Sequence, residues 1–169
     1  MATDHAQAVA EVQRRIGRNV LLYQATEQAL KTLLPLMRHE NALHCLDGFV
    51  ERHAEYSRKT LGQLVQSFRD RNQSDQPELW GTYLADLLSD RNDLIHHAGL
   101  NLRTVDSCRE GATRLNEEHE RAIQMKNMVD DILLDVLQAL CDVTFRGTSE
   151  EAAMRTLYGQ VKAARKNRG

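Results

Sequence analysis

The sequence predicts an all-α protein, most simply a four- to five-helix antiparallel up-and-down bundle. Only 2 prolines and 9 glycines interrupt 169 residues, so the chain has few of the stops that separate short strands. The aromatic fraction is 5% and β-branched residues are scattered, which disfavours a β-sheet protein. Apolar residues instead recur at three- and four-residue steps over long stretches, which is the spacing of one helix face.

The first predicted helix runs from about Asp4 to Leu34. Pro35 should end or kink it, because proline lacks a backbone N–H and disfavours a helical conformation in the residue before it. Residues 36–49 have no clear pattern, and Asp47-Gly48 within them is typical of a turn.

A second helix begins near Glu51 or near Ser57 and ends in the polar stretch 71–76. Its apolar positions follow the spacing of an amphipathic helix: Leu61, Leu64, Val65 and Phe68. The third helix should start at Pro77, since proline suits the first helical position, and should stop near Gly99.

The fourth helix is predicted from about Asp106 to Phe145, with Gly147 as its stop. Thr148 and Glu151 have the spacing of a capping box, which should open a fifth helix. We expect residues 1–147 to form the bundle and residues 148–169 to add a C-terminal helix with a basic tail to the same domain. Three cations of this tail are candidate RNA contacts, although a solvated helix end is an equal alternative: Lys162, Arg165 and Lys166.

The charge and cysteine content restrict the class of protein. The net charge is −2 and the pI about 6.4, which argues against a protein that coats nucleic acid by bulk charge. No apolar run reaches the ~20 residues of a membrane span, and no secretory signal is expected at the N-terminus. Cys45, Cys108 and Cys141 are far apart, which predicts reduced thiols in a cytoplasmic protein.

One segment in the middle of the chain concentrates groups that can carry chemistry: Arg91, Asn92, Asp93, His96 and His97. Residues three and four apart share a helix face, so Asn92 and Asp93 should lie beside His96. A cation, an amide and an imidazole that titrates near neutral pH are suited to metal-independent RNA cleavage. That reaction needs a base for the 2′-hydroxyl, an acid for the leaving 5′-oxygen and donors for the charged phosphate oxygens.

This Arg-x4-His spacing, with an asparagine directly after the arginine, resembles the HEPN superfamily (higher eukaryotes and prokaryotes nucleotide-binding domains). Arg91 and His96 match its Arg-x4-6-His motif at x4, and His97 matches it at x5. The preceding segment Thr60-Leu61-Gly62-Gln63-Leu64-Val65 is also similar to segments of prokaryotic members.

The resemblance implies a metal-independent endoribonuclease of toxin–antitoxin or antiviral (abortive infection) defence. It also implies a homodimer with a composite active site, products with 2′,3′-cyclic phosphate ends, and an antitoxin or defence-complex partner. Arg91 and His96 would then be catalytic, with Asn92, Asp93 and His97 supporting. Asp93 is more typical of a local salt bridge or of a group that orients a histidine. The alternative is a non-catalytic dimerisation or regulatory subunit with the same fold.

Other histidines are less informative. His39, His44 and Cys45 could be metal ligands, but no fourth ligand is close in the sequence, so we expect no metal and no cofactor. His119 is expected on a solvated face of the fourth helix.

Overall fold

The computed structural model describes residues 2–37, 46–71, 77–97 and 102–166. In those ranges the chain forms only helices, which confirms the all-α prediction. They are α1 (Ala2–Leu36), α2 (Leu46–Ser57), α3 (Leu61–Arg71), α4 (Pro77–His97), α5 (Val105–Ala139) with a π-helical turn (Leu140–Thr144) directly after it, and α6 (Glu151–Lys166). None of these helices combines the length and apolar character that crossing a membrane requires.

Pro35 lies in the last turn of α1 rather than beyond its end. A proline there removes one helical hydrogen bond, and the helix stops one residue later, at Leu36. The N–H of Met37 donates to the carbonyl oxygen of Leu34 at 3.3 Å and closes this end. The predicted stop was therefore correct to within two residues.

The predicted second helix is two helices, α2 and α3. Asp47 and Gly48 lie in the first turn of α2, and the prediction of a turn at these residues was wrong. An acidic side chain in a first turn is stabilised by the helix dipole. A capping box opens α3: the N–H of Thr60 donates to Gln63 Oε1 at 2.9 Å, and the N–H of Gln63 to Thr60 Oγ1 at 3.5 Å.

The remaining helix starts agree closely with the predictions. Helix α4 begins at Pro77, whereas the predicted stop at Gly99 lies outside the described residues. Glu151 begins α6, and its carboxylate accepts the N–H of Gly147 at 2.7 Å instead of the N–H of Thr148 that a capping box would use. Gly147 has a φ of 74°, a conformation in which glycine is the least strained residue.

The chain divides into two compact units, Met1–Thr26 with Glu78–Lys126 and Glu27–Pro77 with Asn127–Gly169. The first unit contains most of α1, all but the first residue of α4, and about the first two-thirds of α5. Its core is formed by apolar side chains from all three helices: Val12, Tyr23, Leu84, Leu87, Leu94, Cys108, Leu115, Ala122 and Met125.

Polar side chains of α1 show the direction of α5 in this first unit. His5 Nε2 lies 3.1 Å from the carbonyl oxygen of Leu102, and Arg15 donates to the carbonyl oxygen of Ala112 at 2.9 Å. Both pairs are 97 residues apart in the chain. A constant separation between paired positions means that α1 and α5 run parallel here.

Buried positions recur every seven residues on both helices, as in a coiled coil. On α1 they are Val12, Asn19 and Thr26; on α5 they are Cys108, Leu115 and Ala122, with Glu118 and Met125 three residues after the second and third. Asn19 donates through Nδ2 to the carbonyl oxygen of Leu115 at 2.9 Å. A polar side chain at such a position fixes the register of the two helices.

The second unit has its own core, which includes fully buried Tyr56. The Lys59 ammonium lies 4.1 Å from the centre of this ring and the Arg71 guanidinium 5.1 Å from it, and Arg71 also donates to the tyrosine hydroxyl. Further core residues come from α1, α3, α5, the residue after the π-helical turn and α6: Leu30, Leu33, Leu34, Leu64, Phe68, Val129, Leu133, Leu137, Phe145 and Met154.

Candidate functional site

The position of Arg91 on α4 is set by a buried leucine stripe. Leu84, Leu87 and Leu94 are at most 3% exposed. Arg91 lies seven residues after the first, four after the second and three before the third, so its Cα is on the packed face of the helix. Its side chain is half-buried, because a long arginine can lie along apolar surface while its guanidinium reaches the rim.

The predicted site residues divide between two sides of α4. The Arg91 guanidinium donates to Asn92 Oδ1 at 3.1 Å. Asp93 and His96 are exposed, and Asn92, four residues before His96, is half-buried at the edge of the same face. At 3.6 residues per turn, the Cα atoms of Arg91 and His96 point about 140° apart around the axis.

The structure thus brings Arg91 to Asn92 and places Asp93 and His96 on the adjoining solvent face. Joint action of Arg91 and His96 on one phosphate requires the Arg91 side chain to turn toward His96, and that joint action stays a prediction. His97 is the last residue of α4, and its side chain lies outside the part of the chain that the structure describes.

An ion pair beside Arg91 was not predicted from the sequence. Arg121 of α5 donates from Nε and Nη2 to the two carboxylate oxygens of Asp90, each at 3.0 Å. The Asp90 side chain is 19% exposed and that of Arg121 50%. Burial opposes the charged guanidinium, but the hydrogen bond and charge of Asp90 nevertheless raise the pKa of Arg121. This pair ties α4 to α5 one residue before Arg91.

Two buried polar side chains interact electrostatically with this pair. Burial raises the pKa of the Tyr23 hydroxyl, and the Asp90 and Glu118 carboxylates raise it further. Burial is also the main cause of the raised pKa of Glu118, which Arg114 opposes. Among the described residues, Tyr23 Oη and Glu118 Oε2 have no hydrogen-bond partner. The seven-residue repeat on α5 could have revealed Glu118, because it puts a carboxylate at a core position.

Glu118→Gln should stabilise the protein at neutral pH by about 1 kcal/mol, because the neutral amide avoids the cost of burying a charged carboxylate. Because the folded-state pKa of Glu118 lies above its unfolded value near 4.5, the folded state binds more protons, and stability falls as pH rises from there. The difference in unfolding free energy between Glu118→Gln and the wild type should therefore grow as pH rises above 4.5.

Urea denaturation at several pH values measures this difference. Glu117→Gln, which removes an exposed carboxylate from the adjacent position, is the matched control. A Glu118→Gln curve that runs parallel to that of the wild type at all pH values would contradict the burial effect.

The basic tail belongs to the second unit. Lys162 and Lys166 are exposed, and the Lys162 ammonium lies 5.4 Å from the centre of the Tyr158 ring. Arg165 forms an ion pair with Asp131 of α5, which satisfies part of its charge. Of the three candidate RNA contacts, the two lysines are therefore the better placed to meet a phosphate.

The environment of His119 in the structure differs from the predicted one. His119 was expected on a solvated face, but its Nδ1 is buried and burial lowers its pKa. His39, His44 and Cys45 lie outside the described residues. Within the described ranges, no group of three or more His, Cys, Asp or Glu side chains is arranged to hold a metal ion.

No family model, no curated protein and no solved structure matches this chain.

Proposed function

We propose that the protein is a metal-independent endoribonuclease of the HEPN type, whose site is the Arg91–His96 segment of α4. The observation that carries the proposal is the arrangement on this helix: a half-buried arginine side chain whose guanidinium donates to Asn92, and His96 on the adjoining solvent face. The guanidinium and the accessible imidazole, brought to one phosphate by the turning of the Arg91 side chain, supply what transfer of a ribose phosphate needs.

In the proposed reaction, the His96 imidazole takes the proton of a ribose 2′-hydroxyl. The 2′-oxygen then attacks the adjacent phosphorus, and the bond from phosphorus to the 5′-oxygen breaks. Arg91 stabilises the negative charge on the phosphate oxygens through its guanidinium, while Asn92 holds that guanidinium in place. The products are a 2′,3′-cyclic phosphate and a 5′-hydroxyl.

The leaving 5′-oxygen also needs a proton, and one histidine performs one transfer at a time. We propose that a second copy of the chain supplies the second His96, so that the site is complete in a homodimer. The role in toxin–antitoxin or antiviral defence, and an antitoxin or defence-complex partner, belong to the same proposal.

An RNA cleavage assay in excess EDTA tests the function. Purified protein should cleave an end-labelled single-stranded RNA equally well before and after chelation, because no step uses a metal. Loss of cleavage on chelation, with recovery when a divalent cation is added, would contradict the proposal. Absence of cleavage over a panel of RNAs, with the protein folded and at dimer-forming concentration, would also contradict it.

A second candidate is a non-catalytic dimerisation or regulatory subunit. It is favoured by exposed apolar side chains on α4: Leu79 is 43%, Tyr83 42% and Ile95 50% exposed. Such side chains are common in interfaces. Expression in a bacterial host separates the two candidates, since an active RNA-cleaving toxin slows growth and His96→Ala relieves the effect. If the host grows equally well with the wild type and with His96→Ala, and the protein is recovered in a stable complex, the subunit candidate is favoured.

A further inference from the structure

We propose that Arg121 is a positioning residue that holds the Asp90 carboxylate away from Arg91 and so keeps the Arg91 guanidinium available for a phosphate. This inference rests on the proposed ribonuclease function and deepens it, since it adds a residue of α5 to a site built on α4. It follows from the bidentate geometry of the Asp90–Arg121 pair, directly before Arg91 in the chain.

Asp90 is close enough along the chain to compete for the Arg91 guanidinium. Arg91 already contacts one sequence neighbour, because its guanidinium donates to Asn92 Oδ1 at 3.1 Å. Asp90 is the neighbour on the other side, and a charged carboxylate is a stronger acceptor than a neutral amide. A released Asp90 would therefore compete for Arg91.

Arg121 also balances the negative charge of Asp90. Two parallel hydrogen bonds from Arg121 occupy both oxygens of Asp90 and balance its charge. Without them, an unbalanced anion would stand one residue from the cation that meets the RNA phosphate, and it would repel the substrate. Pairing of Asp90 with Arg91 and repulsion of the RNA phosphate by Asp90 both oppose substrate binding. Loss of Arg121 should therefore weaken RNA cleavage.

Loss of the Asp90–Arg121 pair should affect RNA cleavage more than it affects folding. The Arg121 side chain is 50% exposed and that of Asp90 19%, so loss of the pair should lower the unfolding free energy modestly without unfolding the protein. Arg109 is the control: it lies on the same helix, is 75% exposed and pairs with the exposed Asp106 at 3.2 Å. Removal of either arginine should leave the fold intact, but only Arg121 should matter for cleavage.

The test is a rescue experiment on the full chain with the labelled RNA. Arg121→Ala should lower kcat/KM about tenfold, the effect of a lost charge-assisted contact. The double variant Arg121→Ala/Asp90→Asn should recover to within about twofold of wild type, because the competing carboxylate is gone. Arg109→Ala should stay within about twofold.

Three results would overturn the inference. The first is a double variant that is as poor as Arg121→Ala, which means that Arg121 clamps the helix or contacts RNA directly. The second is equal rescue by Arg121→Ala/Asp86→Asn, which changes the net charge equally at an exposed acid one turn earlier. The third is a loss of activity in Asp90→Asn alone that is as large as in Arg121→Ala, since the inference expects Asp90→Asn to stay within about twofold of wild type; this single variant decides the question if Arg121→Ala does not fold.

An NMR measurement decides the inference independently of RNA cleavage. The Nε–Hε signal of Arg91, assigned by its loss in Arg91→Lys, should shift in Arg121→Ala and return in the double variant. If the wild type shows no cleavage that depends on His96, the proposed function has failed, while this signal still reports whether Asp90 is held away from Arg91. An unchanged signal in Arg121→Ala overturns the inference.

Discussion

His96→Ala is expected to lower RNA cleavage by about 10²- to 10⁴-fold, the usual contribution of a positioned general acid or base. The substitution removes the imidazole from an exposed position of α4 and should leave the folded structure unchanged, because no core side chain is altered. Single-turnover cleavage of the labelled RNA, measured at several pH values, gives the effect.

Arg91→Ala should lower the same rate by about 10²- to 10³-fold, as expected for loss of a donor to a charged transition state. Arg91→Lys keeps the cation but lacks the planar fork, so it should restore only part of the activity. His53→Ala is a matched control, since it removes a half-buried histidine of α2 that lies against Phe49 in the second unit. If His53→Ala and His96→Ala cleave equally well, His96 has no role in the chemistry.

Leu84→Ala is expected to destabilise the protein by about 2–5 kcal/mol, because a fully buried leucine leaves a cavity when it is truncated. Leu79→Ala makes the same chemical change on the same helix at a position that is 43% exposed, and should cost less than about 1 kcal/mol. Thermal or urea denaturation of both variants measures the difference.

This comparison also tests the orientation of the site. Leu84 and Arg91 are seven residues apart and share the packed face of α4, so a large effect at Leu84 fixes the side from which Arg91 emerges. Similar destabilisation by Leu79→Ala and Leu84→Ala would mean that α4 is rotated from the described orientation. The guanidinium would then no longer lie at the rim beside Asn92.

Much of the fold could be predicted from apolar periodicity, because each long helix buries one stripe. The stripe of Leu61, Leu64, Val65 and Phe68 predicted α3, and all four side chains are buried. The helix boundaries were less predictable where a local hydrogen bond decides them. The break before α3 depends on the Thr60–Gln63 capping box, which a reading of the apolar pattern alone passes over.

Only the arrangement of the candidate site residues within one helix could be predicted from the sequence. Helical spacing placed Asn92, Asp93 and His96 together, since residues three and four apart share a face. It could not show the Asp90–Arg121 pair, which joins residues 31 positions apart on two helices. It did offer a sign of Glu118, which lies three residues after Leu115 and four before Ala122, but only the structure shows that those two neighbours are buried.

The chemistry of the RNA products tests the central claim most directly. A labelled RNA that is cleaved by the wild-type protein is compared with the same RNA carrying a single 2′-deoxy substitution at the cleaved position. The account predicts 2′,3′-cyclic phosphate ends on the normal RNA and no cleavage at the substituted position, because the attacking 2′-hydroxyl is absent. Cleavage at the substituted position, or products ending in a 3′-hydroxyl and a 5′-phosphate, would contradict it.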